Sequence, residues 1–473
     1  VMKWLVLICS VLFNAGSTAG EYSPPGLYAV EHYLLENGLR VILKPRAGAH
    51  SVSFRVVVGV GQHDYDCGWQ EVPHFLEHLL FTGTSRHSEA ELEALVEQHG
   101  GYANAHTTAE ETIYEIDIYS RYSGFGLEFM YEILSDSLLS ADDVETSRGI
   151  IEREAGGRPT AIQQWLYRHD VGRTATDKAL RQLIPESNYI CAELEEVAEI
   201  SRDDILDAYN TYYVPGNMAL VVVGDFSVDA MRQAISKTFG ALPPGQLPER
   251  PFRIPPPPRE FDAVQSTLQP VLGSDAEVGM AFRTVGVTSD DYHPLFVLQS
   301  YLDSRLYETV RIEDGLAYSP VSEGGALREY GVMLVYADVE LDAQDRVLDI
   351  MQREIERLQA ALDPETVEQV KRKILLQMVQ GYESNSELAD YYAHSVSEYE
   401  TSGGLVDHEA RVEQVTADDL HRVATQYLSL DRAVVFREAP ALSYSRFYTA
   451  MALLVLVVLA AISTVLYRRY RKQ

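Results

Sequence analysis

Apolar positions along the chain follow two periods, and each half of the sequence contains both. Short runs rich in β-branched residues read as strands: Leu39 to Leu43, Val52 to Val58 and Met218 to Val223 in the first half, Val278 to Phe282 and Val332 to Val339 in the second. Thr112 to Tyr119 alternates, with Ile113, Glu115, Asp117 and Tyr119 on one side and Thr112, Tyr114, Ile116 and Ile118 on the other, as a strand between two environments does. Helical spacing lies between these runs. Ser88 and Glu91 form a capping box ahead of the stripe Leu92, Leu95 and Val96, which stops at Gly100 and Gly101. Val144 to Arg158, Val347 to Leu362 and Val367 to Gln380 read as longer helices, with Pro364 marking the break between the last two.

Punctuation divides this pattern. Leu242 to Arg259 holds Pro243, Pro244, Pro248, Pro251 and the run Pro255 to Pro258, a composition that suits neither helix interior nor central strand. The expected organisation is α+β, with one unit over 28–242, a Pro-rich linker over 243–259 and a second unit over 260–440. Lys3, the apolar run Trp4 to Phe13 and the small residues Ala15 to Ala19 have the three-part pattern of a secretory signal, 1–19. Near the other end, 447–467 is apolar over the length of a membrane span, has tyrosines at both margins, and runs into the basic tail 468–473. Those two features predict a single-pass protein whose large middle lies outside the cytoplasm.

Composition changes this picture in two ways. The 473 residues carry 70 acidic and 39 basic side chains, a formal net charge of −31, which excludes general affinity for nucleic acid or anionic lipid. No Asn-x-Ser/Thr triplet occurs, which favours a bacterial periplasm over a glycosylating route. Outside the signal only Cys67 and Cys191 remain, and their count leaves pairing open.

The candidate chemistry sits at His74, Glu77 and His78. On a helix the two histidines, four apart, share a face with Glu77. Val72, Phe75, Leu76, Leu79 and Leu80 would bury the other faces, and Pro73 suits a first turn. Two imidazoles can begin a zinc site that needs a third protein ligand and an open position, with a nearby carboxylate to move protons. Spacing alone does not rank Glu145, Glu152 and Glu154 as that third ligand.

The run Gly68 to Thr84, with His74-Phe75-Leu76-Glu77-His78 at its centre, resembles the signature of the pitrilysin, or insulinase-like, zinc peptidases, which also include the mitochondrial processing peptidase. Gly100 to Thr107 with Thr112 and Tyr114, Arg148 to Glu154, and Tyr212 to Asp225 resemble its following motifs, over about residues 28 to 440 in all. The resemblance implies two homologous α/β-sandwich-like domains forming half of a clam-shaped chamber, with no zinc motif in the second. It implies one Zn(2+) per catalytic domain, held by His74, His78 and Glu154, with Glu77 activating the zinc-bound water. It implies peptide binding along the strand containing Asn104 and Ala105, and both peptide binding and transition-state contacts from Arg311 and Tyr318, seven apart in the second unit. The substrate would be a peptide or small unfolded protein. The partner would be a second copy or a separate related half, so that Arg311 and Tyr318 of one chain face the zinc site of the other. A catalytically silent subunit or scaffold of the same fold is the alternative. Two departures stand out: Ser147 where the family often has a glutamate, and Glu71-Val72-Pro73 in place of a small apolar approach to the first histidine.

Overall fold

The computed structural model describes residues 26–184, 191, 197–246, 262–266, 271–360 and 362–471. The signal segment 1–19, most of the Pro-rich stretch and Lys472 lie outside them. Six strands of the first half form one mixed sheet: β1 (Glu31–Leu34), β2 (Arg40–Pro45), β3 (Ser51–Val58), β4 (Tyr102–Thr107), β5 (Thr112–Tyr119) and β6 (Met218–Gly224). Their order is β1-β2-β6-β3-β5-β4, with β2 and β6 parallel and the other neighbours antiparallel. A second mixed sheet holds β7 (Val264–Ser266), β9 (Asp275–Val285), β10 (Val321–Ala326), β11 (Tyr330–Glu340) and β12 (Val434–Glu438) in the order β10-β11-β9-β12-β7. The short strands β8 (Leu272–Gly273) and β13 (Leu442–Ser443) pair separately. The chain thus forms two α/β domains.

Unbroken apolar strands report burial on both faces. In β6, Leu220 and Val222 enter the core beneath the helices of the first domain, while Val221 and Val223 enter a separate cluster on the opposite face. That opposite face is covered by the helix Asn385–His394, whose Leu388, Ala389 and Tyr392 come from the second half of the chain. The exchange is reciprocal. The helix Ala175–Leu183, from the first half, lays Ala175, Ala179, Leu180 and Leu183 against Ala281, Val434 and Phe436 of the second sheet. Each sheet completes its burial with a helix from the other half, so the two domains are clasped rather than merely adjacent.

Under the Asn385–His394 helix lies a fully buried cation. Arg55 of β3 donates from Nε to Asp390 at 2.5 Å and from Nη1 to Asp117 at 3.1 Å; Nη2 reaches the Ser386 hydroxyl at 2.7 Å. Glu115 stands 3.3 Å from Nε. Glu115 and Asp117, on the polar side of the alternating segment 112–119, therefore face this charge network, while Tyr119 at its end is exposed. Cys67 and Cys191 are joined in a disulfide with Cα atoms 5.5 Å apart, tying the loop before the His74 helix to the segment beyond the exchanged Ala175–Leu183 helix.

Most elements appear where the pattern placed them, with their ends moved by local chemistry. The helix expected over Val144–Arg158 runs Ala141–Glu154. Its Ser140 N-cap accepts from the Asp143 amide, and Gly156 and Gly157 take positive φ just past its end, which breaks it before Arg158. The helix expected over Val347–Leu362 runs Gln344–Leu358, and the next begins at Pro364, where Asp363 supplies the cap and a proline costs nothing. Strands β9 and β11 are longer than their apolar centres because they pair with each other over eleven residues.

Candidate metal centre

The His74 helix, Val72–Leu79, starts with a proline in its first turn and drives Val72, Phe75, Leu76 and Leu79 into the core of the first domain. The 3.6-residue repeat then leaves His74, Glu77 and His78 together on a half-buried face, their ligand-type atoms all within 4.8 Å of one another. Glu154 arrives from the last residue of the Ala141–Glu154 helix. Arg148 of that helix locks the approach: its guanidinium sits 5.3 Å over the Phe75 ring and donates to the Val197 and Ile200 carbonyls, the latter at 2.7 Å.

Three atoms converge. His74 Nε2 and His78 Nε2 are 3.1 Å apart, and Glu154 Oε2 lies 3.4 Å from the first and 3.6 Å from the second. Donors about 2.0–2.2 Å from a tetrahedral zinc are separated by roughly 3.4 Å along each edge. The triangle fits that ion with little adjustment, and its two-nitrogen, one-carboxylate composition is a zinc donor set. Glu77 belongs to the same cluster but is held elsewhere: its Oε2 accepts from the Thr107 hydroxyl at 2.7 Å. The carboxylate is thereby turned toward β4, beside the ligand triangle and outside it.

Charge around His74 is strongly negative. Burial works against protonation of the ring. The hydrogen bond and charge of Glu71, 2.6 Å from Nδ1, outweigh it with help from Glu77 and Glu154, so its pKa lies above the usual histidine value. Behind the site, Tyr114 and Tyr213 share a hydrogen bond of 2.7 Å. Burial, with Glu77 adding repulsion, pushes both phenols well up, so they stay neutral.

The remaining candidates lie on β4 and in the second domain. Asn104 and Ala105 are on β4, at the edge of the first sheet; Asn104 is exposed and Ala105 is 8% exposed. Arg311 stands in a π-helical turn, Tyr307–Glu313, of the second domain. Its guanidinium lies 4.0 Å over the Tyr318 ring and donates to the Tyr318 carbonyl, while the Tyr318 side chain is 78% exposed. Among the described residues no bond or ring contact joins this pair to the His74 cluster of the same chain. Ser147 is buried in the Glu154 helix. Two contacts were missed as roles in reading the sequence, Thr107 to Glu77 and Glu71 to His74. Thr107 reaches Glu77 only because the His74 helix packs on β4. Glu71 shares a helix face with His74 at a spacing of three, a signal the local sequence does carry.

Residues 40–180 match the family model for insulinase, peptidase family M16, and residues 199–374 match the M16 inactive domain. The chain is 26% identical over 412 residues to the mitochondrial-processing peptidase subunit beta of Lentinula edodes, covering 83% of this chain and 86% of that one. It is 26% identical over 422 residues to an uncharacterized zinc protease of Mycobacterium tuberculosis, covering 86% and 92% respectively. The fold resembles a protease from Helicobacter pylori (TM-score 0.72, 21% identity, 87% of this chain and 99% of that one). It also resembles the periplasmic protease PqqL from Escherichia coli (TM-score 0.67, 18% identity), covering 86% of this chain but 47% of PqqL.

Proposed function

The chain belongs to the insulinase family of zinc peptidases, M16, and from that premise we propose that it cleaves peptides or small unfolded proteins with Glu77 as general base and His74, His78 and Glu154 as metal ligands. The observation that carries this reading is the ligand triangle, with sides of 3.1, 3.4 and 3.6 Å. Zinc bound there supplies a Lewis acid that makes water acidic near neutral pH and polarises the scissile carbonyl. The chain's own residues do the rest. Glu77 accepts the proton of the attacking water and passes it to the departing nitrogen. Thr107 occupies one of its oxygens and leaves the other for that proton. The open edge of β4, at Asn104 and Ala105, receives an extended peptide by backbone pairing, which tolerates many sequences. The experiment is chelation of the purified full chain in detergent, followed by a peptide library. Cleavage should vanish on chelation and return with zinc; cleavage indifferent to chelation would overturn the assignment.

Arg311 and Tyr318 complete the site from a second copy of the chain, their N–H and O–H groups donating to the oxygen that gains charge as the carbonyl is attacked. The exposure of Tyr318, and the lack among the described residues of any bond or ring contact from this pair to the His74 cluster of the same chain, support this reading. Mixing Glu77→Gln chains with Arg311→Ala chains should then restore activity, because one of the two sites in the mixed dimer keeps all its groups. Additive loss in every mixture would favour a separately encoded partner half.

The helix Tyr444–Tyr470 anchors this body as a single span in a bacterial inner membrane, with the catalytic region in the periplasm. Its 27 residues have a mean hydropathy of 2.6 in their most apolar window, and none of that window is buried in the protein. At 1.5 Å per residue they span about 40 Å, enough for the hydrocarbon core. A disulfide at Cys67–Cys191 suits that oxidising compartment.

A further inference from the structure

We infer that Glu71 is a positioning residue for the metal, holding His74 in the one tautomer and ring orientation that can bind zinc; the inference rests on His74 being a ligand. The His74 ring has two separate partners. Its Nε2 faces His78 and Glu154, at 3.1 and 3.4 Å, while its Nδ1 faces Glu71 Oε2 at 2.6 Å, the short end of a charge-assisted N–H···O bond. An imidazole whose Nδ1–H donates to a carboxylate keeps its lone pair on Nε2, where the ligand triangle needs it. The same bond stops rotation about the Cβ–ring axis, which would exchange the two nitrogens.

Glu71 is free for this task because of how the helix begins. It occupies the N-cap, where a side-chain oxygen ordinarily accepts from the backbone amides two or three residues on. The residue two on is Pro73, which has no amide hydrogen, and Glu71 makes no side-chain capping bond. Among the described residues its carboxylate has one side-chain hydrogen-bond partner, His74, and is only 19% exposed, so water competes weakly for it. The positive end of the helix favours its charge. Among the described residues His78 has no such carboxylate on its other ring nitrogen: its polar side-chain contacts are His74 and Glu154, both through Nε2. The support is therefore confined to one ligand, and the Glu-x-Pro-His spacing encodes it.

The test measures zinc affinity of the full chain by chelator competition, beside the melting temperature of the metal-free protein. Glu71→Ala should weaken zinc binding about 10- to 100-fold, the usual effect of losing an outer partner of a ligand, with the metal-free melt unchanged. Glu71→Gln keeps an acceptor for Nδ1–H and should recover part of that loss, a rescue that simple packing would not grade by acceptor strength. His74→Ala serves as reference. If it abolishes zinc binding while Glu71→Ala and Glu71→Gln both bind within about twofold of the parent, the inference fails and the ligand assignment stands. If His74→Ala also binds zinc normally, both fall. Should Glu71→Ala not fold, Glu71→Gln decides by the same twofold criterion.

Discussion

Glu77→Gln is expected to lower peptide hydrolysis by about two to four orders of magnitude, the range general acid–base catalysis supplies, while zinc content stays that of the parent. The amide is nearly isosteric with the carboxylate and can still accept from Thr107, so the 2.7 Å contact to β4 has a replacement and the helix has no reason to move. The three atoms of the ligand triangle belong to other residues. What disappears is an atom able to take a proton from water and return it to nitrogen. In free energy the loss is about 3–5 kcal/mol in the transition state. A turnover assay run beside metal analysis separates the outcomes. Activity lost together with zinc would make Glu77 a ligand, and activity retained would require another base. Thr107 explains why Glu77 and not Glu154 is assigned the proton transfer, although all four polar side chains lie close together. One carboxylate is oriented by a hydroxyl outside the triangle, and the other points into it.

The largest stability effect is expected at Arg55. Replacing it with Met should destabilise the metal-free protein by about 3 kcal/mol, the low end of the usual cost of leaving buried charges without their partner, because two of its three carboxylates are partly solvated. Arg55 is fully buried, and its removal leaves the largely covered Glu115 without its cation, while Asp117 and Asp390, 31% and 39% exposed, are partly screened by water. Surface pairs such as Arg346–Asp314 share the same chemistry at 2.6 Å but should contribute under about 1 kcal/mol, because the Arg346 side chain is 62% exposed and solvent screens it. The difference tests burial and not charge alone. The effect should also be local in a particular way. Asp390 and Ser386 belong to the helix that the second half contributes to the first sheet, so loss of Arg55 loosens the clasp between the domains. Urea unfolding would read the magnitude, and amide exchange in Asn385–His394 would rise before that in β3. A cost below about 1 kcal/mol would mean that the carboxylates are neutral or hydrated without their cation. The His74 helix packs in the core on the other face of the sheet, so the folded fraction should keep its zinc.

Much of this protein was legible one segment at a time. The helix carrying His74, Glu77 and His78 follows from a period of 3.6 and a proline that suits its first turn. Strands β3, β5 and β6 follow from β-branched runs and alternation, and Ser88 with Glu91 marks a helix start that the structure keeps. These features depend on residues within one or two turns of each other. The ends of the longer helices were less legible, because Gly156, Gly157 and Asp363 act through backbone angles and caps that an apolar stripe does not report.

The rest depended on residues far apart in the chain. Arg55, Glu115 and Asp117 read as the polar positions of half-buried strands, yet a helix with contacts 269 to 335 residues further along the chain packs over them and ties them into one charge network. Cys67 and Cys191 could pair or remain free until the fold brought their Cα atoms to 5.5 Å. The spacing of carboxylates could not choose among Glu145, Glu152 and Glu154. The packing of two helices brings Glu154 to both histidines, whereas Glu145 pairs with Arg148 and Glu152 with Arg158. By itself the sequence determined which donors share the His74 helix, since helical geometry acts over a few residues. Only the tertiary structure decided which distant side chains complete the triangle, hold Glu77 and bury Arg55, because those distances are set by how the elements pack and not by their order in the chain.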